Sequence, residues 1–237
     1  LAGSPAMSEL RGNIQAVRER IEKACAGAGR SPEEVSLVAV SKTVGPERIQ
    51  EAVGAGLKLF GENRLQEAEP KIEAVTGDIT WHMVGHLQRN KVKKAVALFD
   101  MIQSVDSYDL ALEIGRRSSE MGKTMEVLVE VNTSAEETKF GCRPKDSVDL
   151  IERMSHLNGV AVRGLMTIGA FTDDEAAVRN CFVTLRELAR KTQEAGISGV
   201  EMRYLSMGMT SDFGIAIEEG SNMVRIGTAI FGSRRVR

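Results

Sequence analysis

Short β-rich runs alternate with longer amphipathic segments along the whole chain, and this alternation restricts the fold more than any other feature. Strand-then-helix units repeated in one direction build a parallel sheet, because each parallel strand needs a crossover that returns the chain to the same end. The strand runs are Val35 to Val40, Leu57 to Phe60, Thr80 to Val84, Met101 to Val105, Met125 to Val131, Val162 to Ile168, Arg203 to Ser206 and Met223 to Ile226. Between them, Pro46 opens a helix over Glu47 to Val53 that Gly54 and Gly56 close, and Pro144 opens another over Lys145 to Met154, as proline at a first turn and glycine past an end predict. Asp173 to Ala195 carries Val178, Phe182, Leu185 and Leu188 at three-to-four spacing, with Gly196 as its stop; that spacing puts one apolar face inward. Asp106 or Ser107 caps a helix over Tyr108 to Met121, and Ser211-Asp212 caps a short one that runs to Glu219 before Gly220.

Eight such units in 237 residues fit a (β/α)8 barrel, roughly 250 residues in its usual form, better than a doubly wound sheet. No Gly-rich dinucleotide fingerprint follows the first strand. A leading helix, Met7 to Ala28, is expected to cover the barrel bottom or to pack at its side. Leu1 to Ala6 read as a cloning remnant before a native start at Met7. No linker, low-complexity tract or repeat divides residues 7–237, which are expected to form one domain.

The 31 Lys+Arg against 33 Asp+Glu leave a formal charge of -2, which argues against gripping nucleic acid or anionic lipid by bulk electrostatics. Any anion must bind in a local pocket. No run approaches the roughly 18 to 20 apolar residues of a membrane helix. Cys25, Cys142 and Cys181 are an odd set without a CxxC pair, which specifies neither a disulfide framework nor a structural zinc site. They read as buried or half-buried thiols, and the expected compartment is the reducing cytoplasm.

In a barrel of this kind chemistry gathers at the C-terminal ends of the strands. Lys42 follows Val35-Ser36-Leu37-Val38-Ala39-Val40-Ser41, and an amine desolvated there is a nucleophile toward aldehydes; the other reading is a structural ion pair at the mouth. Ser206-Met207-Gly208-Met209-Thr210 follows the seventh strand, and Arg225-Ile226-Gly227-Thr228 closes the eighth. Small residues there let backbone N–H groups approach an oxyanion, and loops after strands seven and eight are where barrels often hold phosphate. With a lysine on strand one, these loops point to a phosphorylated aldehyde.

The chain resembles the YggS/PROSC group of pyridoxal phosphate homeostasis proteins, relatives of the alanine racemase barrel, over nearly all of Met7 to Gly232. The resemblance rests on Ala39-Val40-Ser41-Lys42-Thr43, Phe60-Gly61-Glu62-Asn63-Arg64-Leu65-Gln66-Glu67, Trp81 to Lys91, Lys139-Phe140-Gly141, Leu165-Met166-Thr167, Leu205 to Asp212 and Met223 to Gly232. It implies pyridoxal 5′-phosphate (PLP) held as a reversible internal aldimine on Lys42, with Ser206, Gly208, Gly227 and Thr228 as phosphate donors. It also implies Arg225 against the pyridine nitrogen, where a cation keeps that nitrogen unprotonated and weakens the ring as an electron sink. Asn63 either reaches the cofactor or caps the helix from Arg64.

His82 and His86 flank a third strand end. Their spacing suits metal ligation only on a helix, so His82 is read as packing and orienting and His86 as lining the mouth. His156 reads as a surface residue at a helix end. Gln88 to Lys94 is a basic cluster for an anion, RNA or partner, or a solvated helix face. Lys139 either gates the mouth or aids cofactor transfer.

Racemases of this ancestry add a β-domain that supplies a tyrosine base. Here only Ser233 to Arg237 follow Gly232, and Tyr108 and Tyr204 lie elsewhere. The resemblance therefore implies a monomeric PLP carrier or buffer without robust turnover, able to serve PLP-dependent apo-enzymes, with no nucleic-acid or membrane partner. The alternatives are a small PLP-dependent racemase or related enzyme of low activity, and a barrel that binds an unrelated sugar phosphate.

Overall fold

Parallel strands pair in chain order and close on themselves, the eighth against the first. The computed structural model describes residues 5–134, 136 and 138–232. The strands are β1 (Ser36–Val40), β2 (Leu59–Glu62), β3 (Thr80–Met83), β4 (Met101–Val105), β5 (Met125–Glu130), β6 (Val160–Met166), β7 (Tyr204–Ser206) and β8 (Met223–Ile226). Closure leaves no free sheet edge, and both faces of each strand are covered. The (β/α)8 barrel expected from the alternation is the fold observed.

The helices are α1 (Pro5–Gly27), α2 (Pro46–Gly54), α3 (Leu65–Ala74), α4 (Val92–Leu98), α5 (Tyr108–Glu120), α6 (Ser147–Ser155), α7 (Glu175–Glu194), α8 (Phe213–Glu218) and α9 (Thr228–Phe231). On α1, Leu10, Ile14, Val17, Ile21 and Cys25 are buried at three-to-four spacing. This face lies against α8 and α9, so of the two expected placements the helix takes the barrel's side. Asn13 Nδ2 donates to the Ile230 carbonyl at 3.1 Å, and the Arg20 guanidinium lies 4.3 Å over the Phe213 ring. α1 begins at Pro5, within the stretch read as a cloning remnant; Leu1 to Ser4 and Ser233 to Arg237 lie outside the described residues.

Strand alternation sorts the core into two layers. Ala39, Phe60, Ile102, Val127 and Leu165 pack outward in the large cluster under the helices. Val38, Val84, Met101, Leu128, Met166 and Met223 point inward and fill the barrel, with Val40 packed against them. Carrying the two-residue period of β1 forward from Val38 and Val40 brings Lys42 to the inner rim of the C-terminal mouth.

Several boundaries differ from the sequence expectation for local reasons. Val35 closes a 3-10 turn by donating to the Pro32 carbonyl at 3.1 Å, so β1 starts at Ser36. Leu57 N bonds back to Ala52 O at 3.0 Å and finishes the end of α2. β2 therefore begins two residues later than expected and runs through Gly61 and Glu62, which pair with His82 and Met83. Pro144 opens a 3-10 turn, Pro144–Asp146, before α6. Asp174 caps α7 by accepting from Ala176 N at 3.0 Å and Ala177 N at 3.3 Å.

Candidate functional site

At the C-terminal mouth a cavity of about 360 Å³ is lined by Lys42, Asn63, Arg225, Gly227 and Thr228, with Val40, Val84, Ile168, Phe171, Met209, Thr210 and Ser211. Its size is that of a small-molecule site. Of the residues singled out from the sequence, five meet here. Ser206 and Gly208 are buried and do not line it.

Lys42 is exposed, which corrects the expectation of a desolvated amine. The turn closed by Val44 N on Ser41 O at 3.0 Å carries it past the hydrogen-bonded end of β1. Among the described residues its Nζ makes no hydrogen bond or ion pair, so the structural ion-pair reading is not realised. Thr43, next in the chain, has a φ of +63°, a left-handed conformation that a β-branched residue adopts only under constraint.

Arg225 on β8 is buried. Its Nη1 donates to Ser206 Oγ at 2.6 Å and its Nη2 to the Thr167 carbonyl at 2.7 Å. Burial lowers its pKa to about 10, so it is a cation at neutral pH. Ser206 Oγ donates in turn to Gln103 Oε1 at 2.6 Å, and Gln103 Nε2 donates to His82 Nδ1 at 2.8 Å. That bond assigns the imidazole proton to Nε2, and burial holds the ring neutral, with its pKa down to about 4. The Ser206 hydroxyl is thus taken on both sides, and it fixes the arginine rather than facing the cavity. Glu130, at the end of β5, is buried in the same interior; desolvation, then the Asp106 charge, push its pKa up to about 7, against the pull of Arg225.

The loop after β7 reaches the cavity because Gly208 lets it press onto α8. Its φ is +94°, and a Cβ there would stand 2.6 Å from Ala216 Cβ and 2.9 Å from Phe213 Cα. Asp212 Oδ1 accepts from Met209 N at 2.6 Å and holds the loop in shape. Gly227 and Thr228 start α9 beside it, where Thr210 Oγ1 accepts from Ala229 N at 3.4 Å. Asn63 follows β2 directly; the N-cap of α3 is Arg64, and Asn63 Oδ1 is buried without a hydrogen-bond partner among the described residues. Gly85 lets the next loop press against it, since a Cβ there would stand 2.4 Å from Asn63 O.

The remaining candidates surround the mouth. His86 stacks on Phe140 at 3.7 Å between ring centroids, with Nδ1 3.9 Å from Asp106 Oδ2. Lys139 Nζ donates to the Gly169 carbonyl at 2.7 Å and to Glu136 Oε1 at 2.6 Å and lies 4.7 Å over the Phe171 ring, tying the loops after β5 and β6 together. In the basic cluster, Lys94 pairs with Glu69 and Arg89 with Asp109, while Val92, Ala95 and Val96 are buried. His156 is exposed at the C-cap of α6. Cys25 and Cys181 are buried and Cys142 half-buried, all as free thiols.

Gln103 and Glu130, which carry the interior network with Thr167, were not singled out from the sequence, where Thr167 entered only within the Leu165-Met166-Thr167 motif. Their one sequence signal is a polar residue in an otherwise apolar strand or at its end.

Residues 9–235 match the family of the alanine racemase N-terminal domain. A pyridoxal phosphate homeostasis protein of Aquifex aeolicus strain VF5 is 44% identical over 223 residues, 94% of this chain and 97% of the relative. The chain belongs to this family. Among solved structures, an unknown protein from Bifidobacterium adolescentis superposes with a TM-score of 0.91 at 39% identity, covering 98% of each chain. PipY of Synechococcus elongatus PCC7942 with PLP bound superposes with a TM-score of 0.82 at 34% identity, covering 94% of this chain and 100% of that one. Members of the alanine racemase N-terminal domain family share this barrel, and the mouth cavity lies at the end of it where the strands finish.

Proposed function

We propose that this chain binds pyridoxal 5′-phosphate in the mouth cavity, holds it reversibly through Lys42 and acts as a carrier or buffer in cellular PLP homeostasis. The observation that carries this reading is the meeting, around one cavity, of a lysine amine without a hydrogen-bond or ion-pair partner among the described residues, a buried guanidinium and the loops after β7 and β8. The donor set fits PLP. Arg225 uses two of its five N–H groups on Ser206 and Thr167, which leaves donors for a ring nitrogen, and the buried Asn63 Oδ1 lacks a partner. When bound, PLP supplies an aldehyde that an amine captures reversibly. Lys42 would take that carbon, Gly227, Thr228, Thr210 and Ser211 would hold the phosphate, and Arg225 would donate to the pyridine nitrogen and keep it unprotonated. Ser206 serves by fixing Arg225, and Gly208 by seating the loop. Relatives named for PLP homeostasis and a PLP-bound neighbour support the assignment.

Carriage is favoured over two-base turnover by the placement of the tyrosines. Tyr108 begins α5 beneath Arg153, 4.1 Å from ring centroid to guanidinium, and Tyr204 lies on β7 beside Arg203; neither lines the cavity. In this reading the protein works in the cytoplasm as a monomer and hands PLP to PLP-dependent apo-enzymes. No described helix is long and apolar enough to cross a membrane. The test mixes PLP-loaded protein with an apo-aminotransferase and follows the recovered aminotransferase activity, while amino-acid racemisation and decarboxylation are assayed in parallel. The reading predicts transfer with no turnover above that of free PLP. Steady turnover that Lys42→Ala abolishes would reverse it in favour of a small PLP enzyme.

A further inference from the structure

The backbone on both sides of Lys42 is gripped by side chains of a single helix, α3. Lys71 Nζ donates to the Ser41 carbonyl at 2.8 Å, the peptide that precedes Lys42. One helical turn earlier, Glu67 Oε2 accepts from Thr43 N at 2.9 Å, the peptide that follows it. Lys71 is anchored from below by Glu62 Oε1 at 2.7 Å, and the same oxygen accepts from Ser41 Oγ at 2.5 Å. Glu62 is 0% and Lys71 6% exposed.

Packing alone does not account for this arrangement. A buried ion pair is a poor route to stability, because desolvation offsets most of the Coulomb gain and an apolar pair does as well. Among the described residues Glu62 Oε2 has no hydrogen-bond partner, so the pair is not completed for stability. Thr43 meanwhile holds its left-handed φ of +63°, a strain that persists only where the surroundings over-determine the conformation. The residue so constrained, Lys42, is exposed and adds nothing to the core. Fixing the backbone of an exposed amine beforehand lowers the entropy cost when that amine engages a ligand.

We propose that Glu67 and Lys71, with Glu62 as their anchor, are positioning residues that clamp the two peptide groups flanking Lys42 and aim its amine into the mouth cavity. The ligand side of this inference rests on the PLP reading above. The clamp itself is a property of the chain.

The test uses the full chain, its Glu67→Ala and Glu67→Gln variants, and a Lys71→Met/Glu62→Gln double variant that leaves no unpaired buried charge. Exchange of the Thr43 amide, followed by NMR on 15N-labelled protein without PLP, reads the clamp directly. PLP titration by absorbance, with borohydride trapping and peptide mapping, reads its effect on Lys42. In Glu67→Ala, Thr43 exchange is expected to accelerate and PLP affinity at Lys42 to fall about tenfold, as for loss of one hydrogen bond to a charged group. Glu67 is half-buried, with Arg64 at 3.8 Å and Lys71 at 4.0 Å, and the melting temperature is expected to fall by no more than about 4 °C, with the fold retained. Glu67→Gln keeps an acceptor oxygen and restores most of both effects, and the double variant lowers affinity in the same direction. A wild-type adduct that Glu67→Ala forms equally tightly overturns the inference alone, as does an affinity loss that only tracks a loss of folded protein. No adduct at Lys42 in the wild-type protein removes the PLP reading and the inference that rests on it.

Discussion

Arg225 shows how one buried side chain organises the interior. Its two hydrogen bonds fork onto Ser206 Oγ and the Thr167 carbonyl, a geometry that a lysine ammonium does not reproduce. Arg225→Lys is expected to leave one acceptor unpaired and cost about 1–3 kcal/mol in urea unfolding. Two neighbouring groups give the protein opposed pH dependences. Glu130 has its folded pKa raised from 4.5 to about 7, so its contribution is best at acid pH and is lost as pH rises from about 4.5 through about 7, on the order of 3 kcal/mol. His82 has its folded pKa lowered from 6.5 to about 4, so its contribution is present above about 6.5 and is lost as pH falls toward about 4, by a similar amount. In the wild-type protein the two offset each other over much of the range. Glu130→Gln removes one of them, and its stability relative to wild type is expected to improve by on the order of 3 kcal/mol between about pH 4.5 and about pH 8. Urea unfolding at the two pH values measures this, and a difference that does not change with pH would contradict the assignment.

At the scale of elements, the loop after β7 depends on a glycine at its contact with α8. Gly208→Ala brings a Cβ within 2.9 Å of Phe213 Cα at a φ of +94°, so the loop must lift. The expected cost is about 2–4 kcal/mol of stability, together with weaker PLP binding as Met209 and Thr210 leave the wall; a melt and a PLP titration on the same sample check both. The barrel was legible in the sequence because strand and helix periods differ and proline and glycine mark the joints. β2 was misplaced because Leu57 is apolar and reads as a strand residue, although its amide finishes α2. Lys42, Asn63, Arg225, Gly227 and Thr228 were legible as strand-end residues because a barrel sends strand ends to one mouth, and the roles of Arg225, Gly227 and Thr228 there came from the family resemblance. The partnership of Ser206 with Gln103 was not, since these residues stand 103 positions apart and only closure of the barrel brings them together. The clamp on Lys42 escaped for a related reason: Glu67 and Lys71 look like the polar face of an ordinary amphipathic helix.

Among the described residues the molecule presents little apolar surface that would draw copies together. Among the described residues the exposed large apolar side chains are Leu112, Met121, Phe140 and Phe171. The first two lie on α5 and at its end, and the last two stand at the mouth, so they form no broad apolar face. Sedimentation at micromolar concentration is expected to give a species near the chain mass of 25.8 kDa, and a stable dimer would contradict a carrier that offers its mouth to acceptors. The central proposal concerns that mouth: PLP is captured at Lys42, the lysine that, among the described residues, lines the cavity with Arg225 and the loops after β7 and β8. The most direct measurement is borohydride reduction of the PLP-treated protein followed by peptide mapping of the modified lysine. The account predicts an absorbance band of bound aldehyde, with the reduced label on Lys42 and lost in Lys42→Ala. A label scattered over surface lysines, or no band at all, would contradict it.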